Sequence, residues 1–175
     1  MNSKAVQLTD DLLHMLSEED GRVFRPIIDC LFELGYIPQR QKVQGYVLSF
    51  KHHKTKQVIL KMGINSGKDS QAFVRVKFFA VKCLPEKYHD ALSREIASHN
   101  GQYCGPIRDA VQKNRCGFCS ACTGGGMGYY YQFPDGREIV RCGAYPILIP
   151  KLTLNDIGDL KQIILEQHQY HMSIA

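Results

Sequence analysis

Between Gly45 and Ala80 apolar and polar residues alternate with period two in three runs, Tyr46 to Lys51, Gln57 to Met62 and Ala72 to Ala80. Successive side chains of a strand point to opposite faces, so this alternation calls for a sheet with one buried side. The linkers His52-His53-Lys54-Thr55 and Gly63-Ile64-Asn65-Ser66-Gly67-Lys68 are short enough for hairpins, which makes the strands antiparallel neighbours. Tyr46, Leu48, Phe50, Val58, Leu60, Met62, Val74, Val76 and Phe78 then share the core face. Lys51, Lys61, Phe73, Arg75, Lys77 and Phe79 fall on the other.

Outside this region the period changes to that of a helix. Thr9-Asp10-Asp11 before Leu12-Leu13 predicts a capped first helix near 10–19. Asp20 is placed to cap a second, with Val23, Ile27, Cys30, Leu31 and Leu34 at helical spacing and Gly35 as the stop. Pro26 fits it only within the first turn or at a kink, and Cys30 lies on the apolar stripe as a packing residue. Pro85-Glu86 opens a helix to about His99, ended by Asn100-Gly101, with Cys83 just before it read as packing, and a short helix is expected over about Pro106 to Gln112. Tyr129 to Phe133, the turn Pro134-Asp135-Gly136 and Arg137 to Arg141 predict a hairpin. Thr153-Leu-Asn-Asp156 resembles a capping box and introduces a last helix, striped by Ile157, Leu160, Ile164 and His168, to about Tyr170. His168 and His171 read as its solvated end, and His52-His53 as a turn without an acidic partner.

The architecture expected is α+β: two N-terminal helices, an antiparallel sheet, a covering helix, then a cysteine-bearing hairpin unit and a C-terminal helix. At 175 residues the chain reads as one domain, with a helical part over 1–40, a basic sheet and helix over 41–100, and a cysteine hairpin with the final helix over 101–175. A hydrophobic fraction of 44% is enough for a real core and argues against disorder.

The chemistry in the sequence is concentrated in sulfur. Cys116, Cys119 and Cys122 stand three residues apart, and Cys142 follows the predicted hairpin turn. Thiolates are soft ligands favoured by zinc and by iron-sulfur clusters, and a two-residue spacer lets neighbouring sulfurs converge without strain. If the hairpin is centred on Pro134-Asp135-Gly136, Cys142 faces Gly128 and returns close to where Cys122 enters, with Gly124-Gly125-Gly126 supplying slack. Cys116, Cys119, Cys122 and Cys142 are therefore the expected ligands of a structural zinc ion, with Cys104 in reserve. The segment Cys116 to Cys122 is similar to the ligand run of a bacterial ferredoxin, which makes an iron-sulfur cluster the alternative cofactor. It departs from that run where Gly143, not proline, follows Cys142, and it covers seven residues of the 175. Redox-active thiols, and cysteines that bind nothing, are the other readings of the run.

Charge is also uneven. Residues 41–82 hold eight lysines and Arg75 against the single acid Asp69, whereas the whole chain is +5. An anionic partner is expected there, and Lys51, Lys61, Phe73, Arg75, Lys77 and Phe79 mix cations with aromatics as a single-stranded nucleic-acid surface does. The RNA-recognition octamer does not fit, because Asp69-Ser70-Gln71 occupies its basic, glycine and aromatic places.

No Ser-His-Asp, Gly-x-Ser-x-Gly or His-Glu-x-x-His signature is present, so no reaction can be named. Nor does any run approach the ~18 apolar residues that span a bilayer. The expectation is a non-enzymatic cytoplasmic binding or regulatory domain with a cysteine-ligated zinc site, whose partner is a small-molecule effector or nucleic acid and not a membrane. A nucleic-acid-binding protein and an iron-sulfur electron carrier are the alternatives.

Overall fold

The computed structural model describes residues 3–67, 70–81, 84–98, 128–132, 136, 138–142 and 146–173. Their backbone forms helices and a five-stranded antiparallel sheet, the α+β class expected, together with a separate two-stranded hairpin.

The first helix, α1, spans Ser3–Met15, starting and ending earlier than Thr9-Asp10-Asp11 suggested. Thr9 is no cap: it is buried inside the helix, where its hydroxyl donates to the carbonyl of Val6 at 2.8 Å. Ser17 caps α2, Glu18–Glu33, by accepting from the Asp20 amide at 3.1 Å, so Asp20 lies within the first turn. Pro26 sits deep in α2, where its ring denies the Arg22 carbonyl a partner. Arg22 is exposed and water can take that bond, which is why the helix continues. Gly35, at φ +81, ends α2 with its amide on the Phe32 carbonyl at 3.0 Å.

Directly after this stop the chain enters β1, Tyr36–Arg40, which pairs with β2, Tyr46–His52. Arg40 closes their connection, donating to the Gly45 carbonyl at 2.6 Å with its guanidinium 4.1 Å from the Tyr46 ring centroid. β3, Val58–Ile64, and β4, Ala72–Val76, complete the predicted meander. An irregularity between Phe50 and Lys51 inserts Ile59 as an extra, fully buried residue. β4 ends at Val76, short of Ala80, and Phe78 and Val81 turn into the core instead.

A helix α3, Glu86–Ser98, follows, and then the hairpin strands β5, Gly128–Gln132, and β6, Glu138–Cys142. β7, Ile147–Ile149, returns to the main sheet beside β4, giving the order β1-β2-β3-β4-β7. The Asp156 carboxylate accepts from the Thr153 amide at 2.6 Å and its hydroxyl at 2.8 Å, opening a 3-10 turn that runs into α4, Ile157–Ser173. Lys87 of α3 closes on the same carboxylate at 2.5 Å.

The expected core-face residues Tyr46, Leu48, Phe50, Leu60, Met62, Val74 and Val76 lie on one side of the sheet, Tyr46 at its half-buried margin. Val58 does not: the irregularity at Ile59 pairs it with Lys51 on the other face, and Ile59 takes its place in the core. Leu48, Phe50, Leu60, Met62, Val74, Val76, Ile147 and Ile149 meet Leu12 of α1, Ile27 and Leu31 of α2, Leu92 of α3 and Leu160 and Ile164 of α4 in one core. Cys30 packs against it, half-buried.

Gly63 shows how tightly the meander is drawn together. A Cβ there would collide with the Tyr46 carbonyl oxygen and with Val47 Cα, both rigid backbone, whereas Gly21 in α2 has open space around it. Gly63→Ala is expected to lower unfolding free energy by about 1–3 kcal/mol. Gly21→Ala is expected to raise it by about 0.5–1 kcal/mol. Urea denaturation of the two variants checks both signs.

Candidate functional site

Three places in the fold carry functional chemistry: the hairpin, the sheet face away from the helices, and a histidine cluster where α4 crosses the β1–β2 end of the sheet.

Hairpin pairing follows the expected register, with Tyr130 opposite Val140 and Gly128 opposite Cys142. Cys142 is thus the last residue of β6, at the open end of the hairpin, where the chain enters β5. Partners in an antiparallel ladder have Cα atoms about 5 Å apart, and five residues separate Cys122 from Gly128 in the sequence. Cys104, Cys116, Cys119 and Cys122 lie outside the described residues, as do Cys83 and the short helix expected over 106–112. Among the described residues no three His, Cys, Asp or Glu side chains are grouped to hold a metal ion.

On the sheet, the ladder aligns Gln39, Ser49, Lys61, Arg75 and Leu148 in one row across all five strands. This is the face turned away from the core cluster, with Arg75 exposed and Lys61 half-buried. Lys51 and Phe73 share it, half-buried. Lys77 and Phe79 do not belong to this surface, a correction to the alternation pattern. Because β4 stops at Val76, Lys77 is buried to 8% exposure, and Phe79 packs edge-on to Tyr170 of α4 at 5.6 Å between ring centroids. Lys61 and Arg75 are direct cross-strand partners, and like charges so placed repel.

The histidine cluster is the site the sequence did not announce. Tyr36 of β1 is fully buried, and its hydroxyl lies 3.3 Å from His171 Nδ1 and 3.4 Å from His168 Nδ1, both on α4. His52, at the end of β2, is buried beside them, its ring 5.1 Å from that of Tyr36 and 5.5 Å from that of His168. His53 stacks at a tilt on His52, and its Nδ1 donates to the Gly35 carbonyl at 3.0 Å. His168 and His171 are therefore not the solvated helix end that their spacing suggested. Adjacent imidazoles in the turn and an i, i+3 pair in the last helix were visible, but only the path of β1 brings them to one tyrosine.

Hydrogen-bond partners fix the protons. The Ala80 amide donates to Gln167 Oε1 at 3.1 Å, which leaves the Gln167 amide nitrogen to donate to His171 Nε2, also at 3.1 Å. His171 must then be neutral with its proton on Nδ1, donating to the Tyr36 oxygen. The Tyr36 hydroxyl in turn donates to His168 Nδ1. At His52 the Thr55 amide donates to Nδ1 at 3.2 Å, so that ring is neutral as well, with its proton on Nε2.

Electrostatics agree with this assignment. Burial, then Lys77, His168 and His52, pushes His171 down to about 4. Burial, followed by His53, His168 and Lys54, lowers His52, and burial alone lowers His168. Burial raises the Tyr36 hydroxyl, which stays protonated.

Comparison with known protein families, with curated proteins and with solved structures finds no match to this chain.

Removing the hydroxyl at the centre of the cluster leaves the buried His171 Nδ1 and the part-buried His168 Nδ1 without that partner. Tyr36→Phe is expected to cost about 1–3 kcal/mol of unfolding free energy. Its chemical denaturation midpoint should fall with an unchanged slope.

Proposed function

We propose that this chain is a non-enzymatic, cytoplasmic binding or regulatory domain whose hairpin unit is organised by a structural zinc ion. The ligands proposed are Cys116, Cys119, Cys122 and Cys142, with Cys104 in reserve. One observation carries the reading: strand pairing sets Cys142 opposite Gly128, so the fourth thiol returns to the point where the chain arrives from the other three. Four thiolates leave no open coordination position, hence a role in folding and not in chemistry. Zinc would fix a segment attached to the sheet through β6 and β7 and so hold a recognition surface in shape.

Protein purified without added metal is expected to be colourless and to contain one zinc per chain. Cys142→Ser should lower that content at least about tenfold and leave helix content nearly unchanged, because the five-stranded sheet and its helices share a described core of their own. A brown sample absorbing in the visible would instead identify an iron-sulfur cluster and an electron carrier. Metal analysis with absorbance spectroscopy on anaerobically purified protein separates the two, and retention of zinc by the Cys142 variant would refute the assigned ligand set.

A second reading concerns the partner. The adjacency of Lys61 and Arg75 costs stability unless an anion neutralises it, and Lys51 and Phe73 share their face. This favours nucleic acid over an uncharged effector. Single-stranded oligonucleotide binding at low salt should fall about tenfold or more in a Lys61→Gln, Arg75→Gln variant and should weaken steeply with added salt. Binding unaffected by either change removes nucleic acid as the partner, and a screen of small anionic effectors on the same variant follows.

A further inference from the structure

The hydrogen-bond chain through Gln167, His171, Tyr36 and His168 has room for one arrangement of protons. A second proton on His171 would sit on Nε2, directly against the Gln167 amide group. Gln167 cannot turn over to accept it, because the flip would aim its amide group at the Ala80 N–H that its oxygen now receives. The same holds at His52, where a proton on Nδ1 would face the Thr55 amide. The chain joins three parts of the fold: β1 through Tyr36, the segment after β4 through Ala80, and α4 through Gln167, His168 and His171, with the His52 ring packed against Tyr36 and His168.

Among the described residues no carboxylate acts on His52, His168 or His171. The charged and titratable groups acting on these rings are Lys77 from the segment after β4, His53 and Lys54 from the β2–β3 turn, and the imidazoles themselves, while a backbone hydrogen bond with Leu34 works in the opposite sense on His52. From α4, Tyr170 lies against His171 at 6.3 Å between ring centroids, and Phe79 faces it at 6.2 Å. Glu33, at the end of α2, acts on Cys30 together with Lys161 and on none of the cluster. Glu166 receives the Gln162 amide. A proton taken up by His171 therefore charges a buried ring on which the like charge of Lys77 already acts.

We propose that this cluster is an acid-released latch: the end of α4 stays on the sheet while His171 keeps its acceptor nitrogen unprotonated, and it leaves when that nitrogen takes up a proton. Tyr36 is the keeper, since its hydroxyl is shared by two rings of α4. The latch is independent of the zinc and nucleic-acid readings.

The direction follows from linkage. A released histidine titrates near its ordinary value of about 6.5, whereas His171 in place is held down to about 4. The docked end of α4 is thus fully favoured above about pH 6.5 and loses ground as pH falls from there toward about 4. At about pH 5 His171 alone shifts the release equilibrium about 30-fold toward the free helix.

Hydrogen–deuterium exchange of the full chain, corrected for the intrinsic pH dependence of amide exchange, tests this. Between about pH 7.5 and about pH 5, peptides covering 163–173 are expected to lose protection about 30-fold while those of α2 keep theirs. His171→Phe should abolish the response. Equal protection of 163–173 at both pH values, loss of protection shared by α2, or an undiminished response in His171→Phe would each overturn the latch. If that variant does not fold, imidazole titration of the unaltered protein by NMR decides: a His171 midpoint well below 6.5 supports the proposal and an ordinary one ends it.

Discussion

The structure rests on the burial of one continuous face of the five-stranded sheet beneath its helices. Leu48 and Phe50, Leu60 and Met62, Val74 and Val76, and Ile147 and Ile149 are all buried, and helices of the N-terminal, central and C-terminal parts of the chain meet them in one core. At about 25 cal/mol for each Å² of apolar surface removed from water, no polar feature of the molecule compares with this contribution. Everything functional is positioned by it. With the helices on one side, the row from Gln39 to Leu148 is left on the other. α4 can complete the core only by crossing the end of the sheet where Tyr36 and His52 emerge, which is how imidazoles from two distant stretches become neighbours.

Much of this could be read from residue order, and the exceptions have physical reasons. The meander was evident because apolar residues alternate where one face is buried, although the irregularity at Ile59 moved Val58 off that face, and the covering helix, the last helix and the hairpin register followed from local turn and capping residues. β1 and β7 were not expected. Tyr36–Arg40 carries a proline that argues against a strand, and Ile147–Ile149 has three residues, too few to show a period. The start of α1 was placed too late because Asp10 and Asp11 resemble a first turn, while in fact the helix begins at Ser3. The open face was half legible: Lys51, Lys61, Phe73 and Arg75 lie on it, but parity could not reveal that β4 ends before Lys77. The thiol constellation is legible in spacing alone, and its described portion is the Gly128–Cys142 pair.

Two features stand out as local concessions of stability within an otherwise self-consistent fold. Lys61 opposite Arg75 sets like charges side by side where one carboxylate would have been favourable. The cluster around Tyr36 buries imidazoles that an apolar side chain could replace. Sequences that agree with their structure at every level fold readily, and departures from that agreement tend to mark where a protein does something besides fold. These departures occupy different parts of the molecule, one on the face of the sheet turned from the core and one beneath α4, so the proposed recognition and the proposed response to acidity can be altered separately.

Proline in β1 has a further consequence. The Gln41 amide bonds inward to the Val47 carbonyl, so by alternation the nitrogen of Pro38 points away from β2, toward the rim of the sheet. That rim offers no amide hydrogen at its centre. The opposite terminal strand is three residues long and bracketed by Pro146 and Pro150. A stranger's extended segment meets an interrupted ladder at either border, so the five-stranded sheet resists growing into intermolecular ribbons.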